Sequence, residues 1–126
     1  MASSACFNVS QESCANSVKK EALSPDKTLK AVIFERDCGA IVSTQISILP
    51  AGEYLNGETG NVFIYKTNYI EKETAAEKKA NVEVNWTAEK QIIVSFDDFT
   101  TTKVGRMTQQ VENVKIIYDK RQVISN

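Results

Sequence analysis

The stretch Val82-Glu83-Val84-Asn85-Trp86-Thr87-Ala88-Glu89-Lys90-Gln91-Ile92-Ile93-Val94-Ser95-Phe96 decides the fold. Val82, Val84 and Trp86 alternate with Glu83 and Asn85. After a turn at Thr87-Ala88-Glu89-Lys90, Ile92, Val94 and Phe96 alternate with Ile93 and Ser95. A period of two puts each apolar set on one face of a strand. Pairing across the turn joins the two sets into one continuous apolar sheet surface. Such a surface requires a second layer to cover it.

The rest of the chain supplies that layer. In Ile41-Val42-Ser43-Thr44-Gln45-Ile46-Ser47-Ile48-Leu49, Thr44, Ile46 and Ile48 share one face while Ser43, Gln45 and Ser47 share the other. This is the pattern of a half-buried strand, and Pro50-Ala51-Gly52-Glu53 ends it. Upstream, Leu29-Lys30-Ala31-Val32-Ile33-Phe34-Glu35-Arg36 is continuously apolar at its centre, as in a strand covered on both faces. The turn Ser24-Pro25-Asp26-Lys27 precedes it. The loop Asn56-Gly57-Glu58-Thr59-Gly60 leads to a short strand over 61–66. Strands over 100–107 and 111–118 close the set, with Val114, Ile116 and Tyr118 in phase. About seven strands with turn signals at short intervals predict an all-β fold, a small antiparallel β-sandwich or barrel.

Two segments stand outside this pattern. Residues 1–22 are polar and rich in small residues, and read as an extended N-terminal arm, mobile at its start and tied down at Cys14. Residues 23–126 form the single β domain. The charged stretch 69–80 is made of helix formers without a wide apolar stripe. It reads as a solvated connection, with a short exposed helix around 70–80 as the other reading.

With 126 residues, 42% hydrophobic and 25% charged, the chain is long enough to bury a core without cross-links. The net charge of -1 gives no long-range field to draw nucleic acid or an anionic membrane, so neither is an expected partner. Lys19-Lys20 and Lys78-Lys79 read as solvated faces. There is no histidine. A Ser-His or Cys-His nucleophile pair and a histidine zinc site are therefore excluded, and catalysis is disfavoured. No cofactor is expected. Asp97-Asp98 with Glu53 and Glu58 matches no calcium loop, and adjacent aspartates in a strand face opposite ways, so no metal is expected. Asn8-Val9-Ser10 and Asn85-Trp86-Thr87 are formal glycosylation sequons, too common to identify a host.

Three cysteines permit one intramolecular bridge and leave one over. Cys38 lacks a base to activate it, and no Cys-x-x-Cys spacing suggests zinc. A Cys14–Cys38 disulfide, placing the protein in an oxidising compartment, is weighed against free thiols. Ser4-Ala5-Cys6 would suit a lipidation site at Cys6, the one route to a membrane, since no apolar run is long enough to span one. Tyr54, Tyr65 and Tyr69 lie in or near loops, where such rings serve protein contacts. Trp86 is in register with core positions, and a pocket beside it is where a small ligand or glycan would sit.

Cys14-Ala15-Asn16, Ser24-Pro25-Asp26, Lys30-Ala31-Val32-Ile33-Phe34, Arg36-Asp37-Cys38-Gly39-Ala40, the strand from Ser43-Thr44-Gln45 to Pro50, and Gly60-Asn61-Val62-Phe63 together carry a likeness. They resemble a family of small bacterial envelope proteins, exported or lipid-anchored, with the pattern Cys-Gly-Asn, Ser-Pro-Asp-Gly, Arg-Asp-Cys-Gly-Ala and then a Ser-Thr-Gln strand. The likeness covers roughly residues 14–97. Ala15 and Lys27 stand where that pattern has glycine, the stretch after Gly39-Ala40 is shorter, and 69–80 has no counterpart. The resemblance implies the Cys14–Cys38 pairing and an envelope location, and no activity.

The expectation is thus a non-catalytic extracytoplasmic domain that binds a protein partner, such as an immunity or inhibitor protein. A small-ligand or glycan-binding module of the envelope is the alternative, and an enzyme working through carboxylates ranks third. Neither the partner nor the oligomeric state follows from sequence.

Overall fold

A computed structural model describes residues 14–39, 42–67, 81–98 and 102–122, and shows two β-sheets packed face to face. The strands are β1 (Ala15–Leu23), β2 (Leu29–Asp37), β3 (Val42–Pro50), β4 (Phe63–Thr67), β5 (Val82–Ala88), β6 (Gln91–Asp98), β7 (Thr102–Met107), β8 (Gln110–Val111) and β9 (Val114–Gln122). One sheet has the order β1-β2-β3-β4-β7, the other β5-β6-β9-β8. The fold is an all-β sandwich rather than a closed barrel, with no helix among the described residues. The segment 69–80, and with it the alternative of a short helix, lies outside them.

The β5–β6 hairpin pairs as its alternation predicts, with Val82 opposite Phe96, Val84 opposite Val94 and Trp86 opposite Ile92. Ile92, Val94 and Phe96 are buried and form one cluster with Ala31, Ile33, Ile46, Ile48, Phe63 and Tyr65 of the five-stranded sheet. Aromatic rings fill its centre: Phe63 lies 4.8 Å from Phe96 and 5.8 Å from Tyr118, centroid to centroid. Tyr65, expected on a contact surface, is 0% exposed. It lies two residues from Phe63 on the same face of β4, and its ring meets Phe96 at 5.4 Å. Strand phase, rather than nearness to a loop, fixes its direction.

Three features depart from the sequence reading. Residues 15–22, read as part of an extended arm tied down at Cys14, belong to the β domain itself: β1 pairs antiparallel with β2 along its length. Its polar, mostly exposed side chains suit an edge strand. One pair, β6 with β9, is parallel, because the chain crosses to the other sheet as β7 before returning. The last expected strand is two, β8 and β9, joined by a tight turn at Glu112 and Asn113, both with positive φ. Two-residue hairpin turns of this hand match the strand twist and favour asparagine or glycine.

At the β1–β2 turn, Asp26 accepts bonds on one carboxylate oxygen from the Ser24 hydroxyl and from the Thr28 hydroxyl and amide. The Thr28 hydroxyl first, then Ser24, hold its pKa below the ordinary carboxylate value. Lys27 completes the turn at φ +64. That left-handed conformation costs a non-glycine residue about 1 kcal/mol or more, partly offset by glycine's extra freedom in the unfolded chain. Lys27→Gly is therefore expected to stabilise the protein by about 0.5 kcal/mol in urea unfolding. A loss of stability would mean that the lysine side chain contributes something its exposed position does not show.

Tyr118 joins the sheets at the other end. Its hydroxyl lies 2.6 Å from the Thr108 carbonyl and 3.1 Å from that of Val62, and burial pushes its pKa up to about 12. Below about pH 10 both folded and unfolded chains keep this proton. Between pH 10 and 12 the unfolded chain releases it first, so stability falls as pH rises, by about 2 kcal/mol at most after allowing for partial solvation. Tyr118→Phe should be less stable than the parent at pH 8, with the gap narrowing toward pH 12. Parallel urea curves with a constant gap would show that the hydroxyl titrates as in water.

Candidate functional site

On β2, Ala31 and Ile33 point toward the other sheet, so Val32 and Phe34 point outward, yet both are fully buried. The same holds on β3. Ser43, Gln45 and Ser47 form its outer face, which the sequence reads as solvated, and all three are buried. The cover is the loop 51–62 between β3 and β4, which folds back across the outer face of the five-stranded sheet.

Polar side chains from four strands, β1, β2, β3 and β7, hold this loop. Arg36 donates to the carbonyls of Gly57 at 2.7 Å and Glu58 at 3.2 Å, and to the side-chain oxygen of Asn16 at 3.0 Å. The Asn16 amide donates in turn to the carbonyls of Asn56 and Glu58. Gln45 accepts from the Gly60 amide at 2.6 Å while donating to the Ser43 hydroxyl. Asn61 accepts from the Ile48 amide and donates to the Ile48 carbonyl. Its side chain thus continues the β3 ladder beyond the start of β4. The Ser47 hydroxyl accepts from the Asn61 amide, and Arg106 donates to the Gly60 carbonyl. The buried members of this set, Gln45 and Ser47, order the segment most strongly, because leaving a buried polar group unpaired is costly.

Asn16, Arg36, Gln45, Ser47, Gly60 and Asn61 are spread over 46 positions of the sequence. The structure brings them together around one loop. None of them was a candidate site residue, because nothing local in the sequence shows that a β3–β4 loop lies over β2.

The loop presents Tyr54, 83% exposed, beside the outer face. The Lys30 ammonium sits 5.5 Å from the centre of its ring and 3.6 Å from the Glu21 carboxylate. Lys30 itself is buried, and Leu23, opposite it on β1, is 52% exposed. Tyr54, Leu23 and Glu21 are therefore exposed around the buried Lys30, whose ammonium links Tyr54 and Glu21 into one patch of mixed character.

The other predicted residues fall elsewhere. Trp86 is half-buried against the core, and its indole N–H donates to the Ala22 carbonyl at 2.9 Å, linking the edges of the two sheets. A ligand beside Trp86 meets a ring whose one polar group is already engaged. Cys14 and Cys38 form a disulfide directly across the β1–β2 pair. Gly39 follows it at φ +92, its amide bonded to the Asp37 carboxylate. The disulfide is consistent with an oxidising location. Cys6 and Tyr69 lie outside the described residues. Asp97 binds Arg121 at 2.8 Å, a structural ion pair across β6 and β9. Among the described residues no group of three or more acidic, cysteine or histidine side chains is placed to hold a metal. No helix there is long and apolar enough to cross a membrane. Compared with known proteins, the chain matches no family model, no curated protein and no solved structure.

Proposed function

We propose that this is a non-catalytic extracytoplasmic domain that works by binding another protein through the patch around Tyr54. The observation that carries this reading is the fixed 51–62 loop. An exposed aromatic on an ordered loop binds at low entropic cost, since little freedom remains to be lost. Leu23 and the Glu21–Lys30 pair add the apolar and charged neighbours found in protein contact surfaces. An immunity or inhibitor protein is the concrete form that a small, disulfide-bonded domain of this kind suggests. The disulfide and the sequence likeness support the extracytoplasmic part, and lipidation at Cys6 would supply an anchor.

The test uses the full chain as bait in a bacterial envelope extract, with sizing of the free protein. Tyr54→Ala and Leu23→Ser are expected to weaken capture of a discrete partner by about tenfold, as loss of an interface anchor does. Their unfolding stability should stay within about 0.5 kcal/mol of the parent, as for ordinary surface changes. A monomeric protein that captures nothing above the bait-free control, or a partner retained equally by both variants, would overturn the reading. The alternative, a ligand or glycan module with its pocket beside Trp86, predicts quenching of the single tryptophan by a glycan panel and no effect of Tyr54→Ala.

A further inference from the structure

We propose that the cleft between the sheet edges at the β1 bulge is a binding site for a small anion with an apolar body. It is separate from the Tyr54 patch, and either site can fail without the other. The register of β1 creates it. Val18 lies opposite Phe34, but Lys20, not Lys19, lies opposite Ile33, so Lys19 is an extra residue in the strand. Without the bulge Glu21 would face the other sheet and Ala22 would face outward. The extra residue restores Ala22 to the inner face, and it turns both Lys19 and Lys20 toward the gap between the sheets.

That gap has a volume of about 430 Å³ and is lined by Lys19, Lys20, Ile33, Phe34, Glu35, Thr44 and Val82. The size is within the range of small-molecule sites. Its chemistry is two-part. Ile33 and Val82 give an apolar floor, and Thr44 adds a hydroxyl. Two ammonium groups stand against one carboxylate, a local excess of positive charge. Glu35 lies 3.8 Å from the Lys19 ammonium, both largely exposed, an arrangement that contributes little to stability. Lys20 has no ion-pair partner among the described residues. Lysines commonly lay their stems on apolar surface with the charge outward, so two at one rim can hold an anionic head group over a greasy floor. A carboxylate or sulfonate on a short alkyl or aromatic body fits this description. A neutral sugar leaves the charge unanswered.

The experiment titrates the full-length oxidised protein with 8-anilinonaphthalene-1-sulfonate, followed by fluorescence, with decanoate as competitor and backbone amide shifts to locate the site. Expected are saturable binding, displacement by decanoate, and shifts centred on Ile33, Thr44 and Val82. Lys20→Glu should weaken binding by at least about tenfold, the scale of one charge-assisted contact reversed in sign. Lys90→Gln, at an exposed hairpin turn, should leave it unchanged, and added salt should weaken the parent more than Lys20→Glu. If Lys20→Glu melts early by circular dichroism, Thr44→Val provides the second variant, with a smaller expected loss. The proposal is overturned if neither probe binds at millimolar concentration, if Lys20→Glu binds as well as the parent, or if the shifts map to another surface.

Discussion

Replacing Gly60 by alanine is expected to destabilise the fold by about 3 kcal/mol, at the upper end of the cost of forcing extra atoms into a packed interior. A Cβ at this position would stand 2.6 Å from the Ile46 carbonyl oxygen and 3.1 Å from both the Ile46 amide nitrogen and the Gln45 Cβ. Two of these three atoms are backbone of β3, a strand central to the larger sheet, so no side-chain rotation relieves the overlap. The loop would have to lift. In lifting it would stretch the bond from the Gly60 amide to Gln45 and that from Arg106 to the Gly60 carbonyl. It would also begin to uncover Val32 and Phe34. Gly57→Ala, in the same loop but with open space around the added methyl, is the control and should change stability by less than about 0.5 kcal/mol. Urea unfolding of the two variants beside the parent decides the matter. A Gly60→Ala protein as stable as Gly57→Ala would show that the loop is not seated against β3 in solution. The polar network would then lose its structural meaning.

What the sequence made legible, and what it hid, follows from the range of the interactions. The β5–β6 hairpin is readable because its alternation and its turn lie within fifteen residues. The continuous apolar run in β2 is readable as doubly covered, but nothing in it names the cover. On β3 the serines and glutamine at 43, 45 and 47 look like a solvated face because polarity ordinarily means water. Here Gln45 and Ser47 are buried partners of a loop more than a dozen residues away in sequence, with Ser43 bonded to Gln45, and only the folded arrangement shows it. Strand β1 escapes a periodicity argument altogether. It is polar on both faces, and its bulge breaks the phase at Lys19. The turn at Glu112 and Asn113 lacks the usual glycine. The parallel β6–β9 pair depends on a crossover through the other sheet that no local signal encodes. The candidate site shares this limit. Tyr54 is visible as a loop aromatic, whereas Arg36 and Asn16, which hold the loop beneath it, look like ordinary surface residues. Tyr65 shows the opposite error, a loop neighbour that phase carries into the core.

Removing the disulfide, as Cys14→Ser with Cys38→Ser, should cost about 3 kcal/mol on the chain-entropy account for a closed loop of this length. That is a large share of the total stability of a small domain. The variant should nevertheless fold, because the buried cluster is built from β2, β3, β4, β6 and β9 and their flanks, and takes no residue from β1. The loss should also be uneven along the chain. Only Asn16 and Ala22 of β1 are even half-buried, so that strand is held by its ladder to β2, by Trp86 at Ala22, by Asn16 beneath the 51–62 loop, and by the bridge at Cys14, just before its first residue. Without the bridge, opening should begin at residues 15–18 and stop near the Trp86 contact. Freeing Asn16 would then remove one support from Arg36 and from the loop that presents Tyr54. Amide exchange should accordingly rise first in residues 15–18, next in 56–60, and last in β2, β3 and β6. Denaturant midpoints with and without the bridge measure the total, and exchange rates measure its distribution. An unchanged midpoint would show that the hairpin is equally closed in the unfolded chain. A uniform rise in exchange would show that the bridge acts only through the unfolded state. A graded rise would make Cys38 the remote anchor of the Tyr54 surface, linking the one covalent cross-link among the described residues to the presentation of the candidate binding patch.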